Sequence, residues 1–222
     1  MATILIIGAS RGIGLEFVRQ YRAAGAQVVA TARSEAGLAL LRAEGATALK
    51  LDVSDTAGAS GLAWQIDGTQ FNQVLYVAGV FGPRSVGLQT PTEADFNAVM
   101  HANVLGPMRV LPQLVDALAP GAKLGLLSSR MGSMTLRENS SGWLYRASKA
   151  AANSVLKDAS IALRERAICV SLHPGWVRTE MGGEGADIDV QTSVAGMRGV
   201  LAGLTLADNG GFFNYDGQTL AW

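Results

Sequence analysis

The sequence predicts an α/β fold in which a mainly parallel, seven-stranded sheet is covered by helices on both faces. Short apolar runs alternate with amphipathic segments along the chain, and several runs, such as residues 4–7 and 74–77, contain almost no polar residue. Strands that are covered on both faces lose the alternation of polar and apolar side chains. A glycine-rich turn also follows the first run directly. We expect a single domain over residues 1–222.

The alternation assigns the elements in order. The predicted strands cover residues 3–7, 27–31, 46–52, 73–77, 123–128, 168–173 and 211–214. The predicted helices cover residues 13–24, 56–66, 92–118, 143–166 and 190–206. In a sheet wound in both directions, ligands bind outside the carboxyl ends of the strands, at the point where the strand order reverses. Residues that directly follow a strand are therefore the first candidates for a site.

Composition limits the classes of function. The 18 basic and 18 acidic residues give a net charge of zero, so nothing attracts nucleic acid or an anionic membrane, and a small-molecule partner fits better. Cys169 is the only cysteine, which excludes an intrachain disulfide and a cysteine metal cluster. No run reaches the roughly 20 apolar residues of a membrane span. We expect a cytoplasmic protein without a metal site.

The glycine-rich turn between the first strand and the first helix predicts a dinucleotide site of the Rossmann type. Gly8 allows the tight turn, Gly12 lets the backbone approach a diphosphate, and Gly14 allows the helix to pack closely on the strand. Free amides and the positive end of the helix dipole then bind the phosphates. The residues expected to contact the cofactor here are Gly8, Ser10, Arg11, Gly12, Ile13 and Gly14.

The residues after the second and third strands predict NADP(H) as the cofactor, with NAD(H) as the weaker choice. An acidic residue after the second strand would bind an unmodified ribose, but Arg33 stands there and favours a 2′-phosphate. Arg11 is expected to approach the same phosphate. The alternative is that both are solvated surface arginines. Asp52, followed by Val53, is a candidate acceptor for the adenine amino group, and a helix-entry or turn role for it stays equally open.

Tyr145 and Lys149 are the candidate proton-transfer pair. They stand four residues apart in a predicted helix, so they project from one face. A phenol with an ordinary pKa of ~10 is a poor catalyst at neutral pH, and a neighbouring ammonium lowers that pKa by favouring the phenolate. The alternative is that both are ordinary residues of a helix surface.

Taken together, these motifs resemble the short-chain dehydrogenase/reductase family. The matching segments are the glycine turn GASRGIG, Leu127-Ser128-Ser129, YRASK at residues 145–149, and residues 173–179, in the order that the family has them. The resemblance covers essentially the whole chain. Within the family, the sequence looks like the carbonyl reductases and the C-factor-type proteins of bacterial cell signalling.

The resemblance implies roles for individual residues. Tyr145 would exchange the proton with the substrate oxygen, Lys149 would bind the nicotinamide ribose, and Ser129, in preference to Ser128, would hold the substrate oxygen. Asn103 would bend its helix and anchor a water of the proton relay. The residues implied near the ribose and the nicotinamide are Ala78, Gly79, Pro174, Gly175, Val177 and Thr179. His173 follows the sixth strand, and we expect it to be structural.

Two features depart from the family pattern. The family commonly has two asparagines before Ala-Gly, whereas here Tyr76 and Val77 precede Ala78 and Gly79. The segment of residues 180–189, which covers the substrate in many members, is short and glycine-rich, so we expect an open or mobile site.

The expected function is an NADP(H)-dependent oxidoreductase that moves a hydride between the nicotinamide and a small carbonyl compound or secondary alcohol. The alternative is a C-factor-like signalling protein that binds NAD(P) with little turnover. Epimerisation of a nucleotide sugar is disfavoured, because no substrate domain is present in the sequence. Small residues along the 143–166 helix favour a homodimer or homotetramer.

Overall fold

A computed structural model describes residues 1–222 and contains one sheet of seven parallel strands. The strand order is β3-β2-β1-β4-β5-β6-β7, so the order reverses between β1 and β4. The strands are β1 (Thr3–Ile7), β2 (Gln27–Ala32), β3 (Thr47–Lys50), β4 (Phe71–Tyr76), β5 (Leu118–Leu127), β6 (Ala167–His173) and β7 (Phe212–Asn214). The predicted fold class and all seven strands are confirmed.

Helices cover both faces of the sheet. They are α1 (Gly12–Ala23), α2 (Glu35–Ala43), α3 (Thr56–Ser60), α4 (Leu62–Gln65), α5 (Glu93–Met100), α6 (Gly106–Val110), α7 (Trp143–Ala162) and α8 (Val190–Gly203). A π-helical segment, His101–Leu105, joins α5 to α6, and 3₁₀ segments occupy Leu111–Ala117, Arg130–Gly132 and Leu206–Asp208. None of these helices combines the length and the hydrophobicity that a membrane span needs.

The core consists of one apolar layer on each face of the sheet. In β1, Leu5 and Ile7 pack into the layer under α4, α6 and α7, whereas Ile4 and Ile6 pack into the layer under α1, α2 and α8. All four side chains are at most 1% exposed. Burial on both sides explains why this strand is apolar at every position from 4 to 7.

The structure differs from the prediction in three helical regions. The helix expected over residues 56–66 is divided at Gly61 into α3 and α4. Helix α2 was not predicted, although Ser34 is its N-cap, and the Ser34 Oγ accepts a hydrogen bond from the N–H of Gly37 at 3.2 Å. The helix expected over residues 92–118 is instead broken into α, π and 3₁₀ segments, and β5 already begins at Leu118. Pro107 and Pro112 lie in this stretch, and a proline has no N–H for the helical hydrogen bond. The periodicity of the sequence carries no sign of these changes of helix type.

Candidate active site

A cavity of about 460 Å³ opens at the carboxyl ends of β1 to β5. Its position spans the reversal of strand order between β1 and β4. The glycine turn lies at one end, and Tyr145 with Lys149 lies at the other. The motifs predicted from distant parts of the sequence therefore face a single space.

The glycine turn is held by contacts that leave no room for side chains. Gly8 has a φ of +85°, and a Cβ there would lie 2.7 Å from the backbone of Ala78. A Cβ on Gly14 would lie 2.2 Å from the carbonyl oxygen of Gly8. Thr31 of β2 fixes the turn, because its Oγ1 accepts a hydrogen bond from the N–H of Gly8 at 2.9 Å. The predicted reasons for Gly8 and Gly14 are thus visible as contacts.

The turn presents a row of free donors to the cavity. None of the backbone N–H groups of residues 10 to 14 donates a hydrogen bond to another backbone group, and no side chain caps α1. Ser10, Arg11, Gly12, Ile13 and Gly14 all line the cavity. Unpaired amides at the start of a helix match the acceptors of a diphosphate, so the residues fit a dinucleotide.

At the adenosine end, the structure separates two roles that the sequence left open for Asp52. The N-cap of α3 is Asp55, and not Asp52. One carboxylate oxygen of Asp52 accepts hydrogen bonds from the N–H and the hydroxyl of Ser54, which lower the pKa of Asp52 together with a weaker attraction to Arg33. Asp52 therefore stabilises the turn after β3 as a carboxylate. Both Asp52 and Val53 line the cavity, where an adenine contact stays a prediction.

Arg11 and Arg33 lie at the same end of the cavity but in different surroundings. The side chain of Arg11 forms an ion pair with Glu180, which follows β6 by seven residues. No carboxylate is within salt-bridge distance of Arg33, which is exposed. A guanidinium without a partner at the rim of the cavity fits a phosphate.

At the catalytic end, α7 directs Tyr145 and Lys149 into the cavity, as their spacing predicts. Tyr145 is 8% exposed and Lys149 is 6% exposed. The Lys149 Nζ donates a hydrogen bond to the carbonyl oxygen of Leu127 at 2.9 Å, at the end of β5, and lies 5.7 Å from the centroid of the Tyr145 ring. The pair is buried and is not part of a helix surface.

Burial sets the pKa values of this pair. Loss of hydration raises the pKa of Tyr145 to about 12, with Ser129 acting in the opposite direction, and lowers the pKa of Lys149 to about 8. The sequence predicts a lowered pKa for Tyr145. In the protein alone, desolvation of the phenolate outweighs its neighbours, and the ammonium is directed to a backbone carbonyl.

The two serines after β5 have different surroundings. The Oγ of Ser129 accepts a hydrogen bond from the N–H of Met131 at 3.1 Å, and Ser129 lowers the pKa of Tyr145 against the larger effect of burial. The Ser128 hydroxyl is buried without a hydrogen-bond partner. Ser128 lines the cavity and Ser129 does not, so the preference for Ser129 as the partner of Tyr145 stays a prediction.

Asn103 is a buried connection between β4 and α7. Its Oδ1 accepts a hydrogen bond from the N–H of Val80 at 2.8 Å, and its Nδ2 donates to the Val80 carbonyl at 2.8 Å and to the Ser148 hydroxyl at 2.9 Å. It lies in the π-helical segment, so the predicted irregularity of its helix is present. Through Val80, Asn103 fixes the backbone that follows the unusual Val77-Ala78-Gly79 sequence.

Comparison with known proteins now identifies the family. A family model described as short chain dehydrogenase matches residues 2–187. The chain belongs to this family.

Individual relatives support the same assignment. The "C-signal" of Myxococcus xanthus is 39% identical over 58% of this chain and 80% of its own length. The 1-hydroxy-2-glutathionyl-2-methyl-3-butene dehydrogenase of a Rhodococcus species is 33% identical over 100% of both chains. The structure of an NADPH-bound carbonyl reductase from chicken fatty liver superposes with a TM-score of 0.88 at 29% identity, over 100% of this chain and 99% of the other. This short-chain dehydrogenase is thus an oxidoreductase, and several solved structures of the same fold, the chicken enzyme among them, contain bound NADP or NADPH.

The turn after β6 in this dehydrogenase brings some of the implied residues to the cavity. Pro174 and Thr179 line it, whereas Gly175 and Val177 do not. A Cβ on Gly12 would lie 3.5 Å from Thr179, so the chain after β6 covers the glycine turn. Val177 is 4% exposed and pairs with Ile188 in an isolated bridge, which closes the loop on itself.

Sequence reasoning missed the loop after β4. Phe81 stacks on the Tyr145 ring with 4.4 Å between centroids, and the Arg84 guanidinium lies 5.3 Å from the centroid of Phe81. Arg84 also donates a hydrogen bond to the carbonyl oxygen of Met181 at 3.0 Å. The loop matches no catalytic motif. The only sign of it in the sequence is an aromatic residue, Phe81, two positions after Gly79.

The segment of residues 180–189 is short, as predicted, but it is tied to its surroundings. Glu180 pairs with Arg11 on one side, and the Met181 carbonyl accepts from Arg84 on the other. The Trp176 Nε1 donates a hydrogen bond to the carbonyl oxygen of Gly182 at 2.9 Å. The segment thus spans the cavity from the phosphate end to the catalytic end.

Proposed function

We propose that this dehydrogenase is an NADPH-dependent carbonyl reductase, which also runs as an alcohol dehydrogenase, on a small ketone, aldehyde or secondary alcohol. The observation that carries the proposal is the position of Tyr145: its buried ring faces the same cavity as the free amides of the glycine turn. The fold shared with an NADPH-bound carbonyl reductase supports it.

We assign the proton to Tyr145. With a pKa of about 12 in the protein alone, its hydroxyl is protonated at neutral pH and is ready to protonate a carbonyl oxygen during reduction. Ser129, beside it, would hold that oxygen. NADPH, when bound, supplies the hydride.

Lys149 and Asn103 would support this step. The Lys149 ammonium, which is buried and bonded to Leu127, offers two further N–H donors to ribose hydroxyls. Its charge favours the phenolate that forms when Tyr145 gives up its proton. Asn103 fixes Val80 and Ser148 and would keep β4 and α7 in register around the site.

Turnover is tested with a panel of small ketones, aldehydes and secondary alcohols, with NADPH or NADP⁺. We expect reduction with NADPH that is lost in Tyr145→Phe. A matched control is Tyr215→Phe, because Tyr215 does not line the cavity. Absence of turnover on the whole panel, with tight NADPH binding, would contradict the proposal.

The 2′-phosphate is assigned to Arg33 and Arg11. Both guanidiniums lie at the cavity rim beside Ser10 and Ser34, and Arg33 has no acidic partner. Fluorescence titration of Arg33→Ala should weaken NADPH binding about tenfold and change NADH binding less than about twofold, because only NADPH carries the charged group. Equal effects on both cofactors would remove Arg33 from the phosphate site.

A second candidate is a signalling protein in which cofactor binding matters more than turnover. The 39% identity to the "C-signal" favours it. The presence of Tyr145 and Lys149, both buried, at one cavity favours the enzyme. Binding of NADPH without turnover on the panel would favour signalling.

We further propose that the protein forms a homodimer or homotetramer through α7. Ala147 is exposed on this helix, Ala150, Ala151 and Ala159 are half-buried, and small side chains allow two helices to approach closely. Light scattering after size exclusion should give a dimeric or tetrameric mass, and Ala147→Glu should lower it. A monomeric wild type would contradict this.

A further inference from the structure

The ion pair between Arg11 and Glu180 joins two segments that are 169 residues apart in sequence. Arg11 belongs to the glycine turn, whereas Glu180 belongs to the segment after β6 that covers it. Both residues line the cofactor cavity. Thr179, next to Glu180, lies directly above Gly12. A carboxylate is thus held at the entrance of the phosphate site.

We propose that Glu180 competes with the 2′-phosphate of NADPH for Arg11, and that Glu180 thereby limits how strongly the protein prefers NADPH over NADH. This inference rests on the proposed role of Arg11 in binding that phosphate. A carboxylate and a phosphate are both recognised by the planar N–H groups of a guanidinium. Asp52 attracts Arg33 only weakly and no carboxylate lies within salt-bridge distance of Arg33, so the two arginines are unequal.

The physical effect is specific to one cofactor. A 2′-phosphate that reaches Arg11 displaces the carboxylate or binds beside it, and in the second case two like charges repel. NADH has a neutral hydroxyl at this position, so neither cost applies to it. The side chains of Arg11 and Glu180 are 61% and 79% exposed, which means that water and salt weaken the pair.

The direct test is Glu180→Gln, which removes the charge and keeps the shape. We expect it to tighten NADPH binding by about 2- to 5-fold, the range of an exposed ion pair, and to leave NADH binding unchanged. Adenosine 2′,5′-bisphosphate, which carries the phosphate without the nicotinamide, should show the same gain. The gain should shrink at high salt.

The matched control is Glu184→Gln. Glu184 lies in the same segment, is exposed and forms no salt bridge. Glu184→Gln removes the same charge from the segment but leaves the pair of Arg11 and Glu180 intact. Its effect on NADPH binding should therefore be smaller than that of Glu180→Gln. An equal gain in both variants would mean that the net charge of the loop, and not the pair, sets the affinity, and would overturn the inference.

Three further outcomes would also overturn it. Weaker NADPH binding in Glu180→Gln would mean that Glu180 orients Arg11 for the phosphate, and a parallel shift for NADPH and NADH would mean that the substitution only moves the loop. An unchanged affinity for both cofactors would mean that Glu180 does not compete with the 2′-phosphate for Arg11.

Arg11→Ala separates this inference from the proposed function. If Arg11→Ala weakens NADPH binding but Glu180→Gln has no effect, only the inference fails. If Arg11→Ala leaves NADPH binding unchanged, the assignment of the phosphate to Arg11 fails first. In the Arg11→Ala background, Glu180→Gln should have lost its effect, because a coupling through the pair needs both partners.

Discussion

The two ends of the cofactor cavity consist of different chemical groups and differ in their exposure to water. The phosphate end consists of free backbone amides of residues 10 to 14 and of exposed guanidiniums, with the Arg11 side chain 61% exposed. The catalytic end consists of side chains removed from water, with Tyr145 8% and Lys149 6% exposed. Charges in water adjust affinity in small steps, whereas buried charges undergo large pKa shifts. We therefore expect large effects from substitutions at the catalytic end and graded effects at the phosphate end.

The largest effect is expected for Tyr145→Phe. It removes the only hydroxyl that the proposal uses as proton donor, so kcat for carbonyl reduction should fall by about 10²- to 10⁴-fold. NADPH affinity should stay near that of the wild type, because the phosphate end is unchanged. Steady-state kinetics measure the fall in kcat, and fluorescence titration measures the affinity for NADPH. A loss of affinity as large as the loss of kcat would break the contrast between the two ends.

Alcohol oxidation should depend steeply on pH. Burial raises the pKa of Tyr145 to about 12, so the phenolate that accepts the alcohol proton is a minor form at neutral pH. Below the pKa its fraction, and with it the oxidation rate, should rise about tenfold for each pH unit between pH 6 and 8. Carbonyl reduction needs the protonated form of Tyr145, so its rate should not increase over the same pH range.

The rise in oxidation should become less steep above about pH 8, where Lys149 loses its proton. The loss of its positive charge removes a group that favours the phenolate. The measurement is the initial rate of alcohol oxidation and of carbonyl reduction as a function of pH, from pH 6 to above pH 8. A flat oxidation profile from pH 6 to 8 would contradict a pKa of about 12 for a Tyr145 that acts as the base.

At the phosphate end, Gly8→Ala tests whether the backbone is the binding element. Its φ of +85° strains any other residue, and the added Cβ would lie 2.7 Å from Ala78. Gly25→Ala is the matched control, with a φ of +78° and no atom within 4 Å of its Cβ. Both should pay about 1–2 kcal/mol for the left-handed conformation. Only Gly8→Ala should add a steric cost and weaken NADPH binding.

Chemical denaturation measures the stability of Gly8→Ala and Gly25→Ala, and titration with NADPH measures the affinity of each variant for the cofactor. Equal stability and equal affinity in the two variants would mean that the close approach to Ala78 does not matter.

The smallest effect on activity is expected for His173→Gln. Burial, with a contribution from Arg130, lowers the pKa of His173 to about 4, and its Nδ1 has no hydrogen-bond partner. The ring is therefore neutral at the pH of the assay, and kcat should change less than about twofold, because no step needs its proton. A changed pH profile of kcat would give His173 a role in proton transfer.

The same histidine should affect stability in acid. The unfolded chain binds a proton at His173 below its ordinary pKa of about 6.5, whereas the folded chain does so only near 4. Stability is therefore lost as the pH falls through this window. The Tm of His173→Gln should decrease less than that of the wild type between pH 6.5 and 4, and an identical decrease would contradict the shift.

The sequence by itself determined the seven parallel strands, the glycine turn and the shared face of Tyr145 and Lys149. Each of these depends on residues that are close in sequence: an apolar run of strand length, glycines where backbone must approach backbone, and a spacing of four residues in a helix. The N-cap at Ser34 is also a local signal, and α2 could have been predicted from it.

Only the tertiary structure decided the contacts between distant segments. These include the ion pair of Arg11 with Glu180, the stacking of Phe81 on Tyr145, and the connection that Asn103 makes between Val80 and Ser148. The direction of the pKa shift of Tyr145 belongs with them. Burial depends on everything that packs around a group, and residue spacing along one helix carries no information about that.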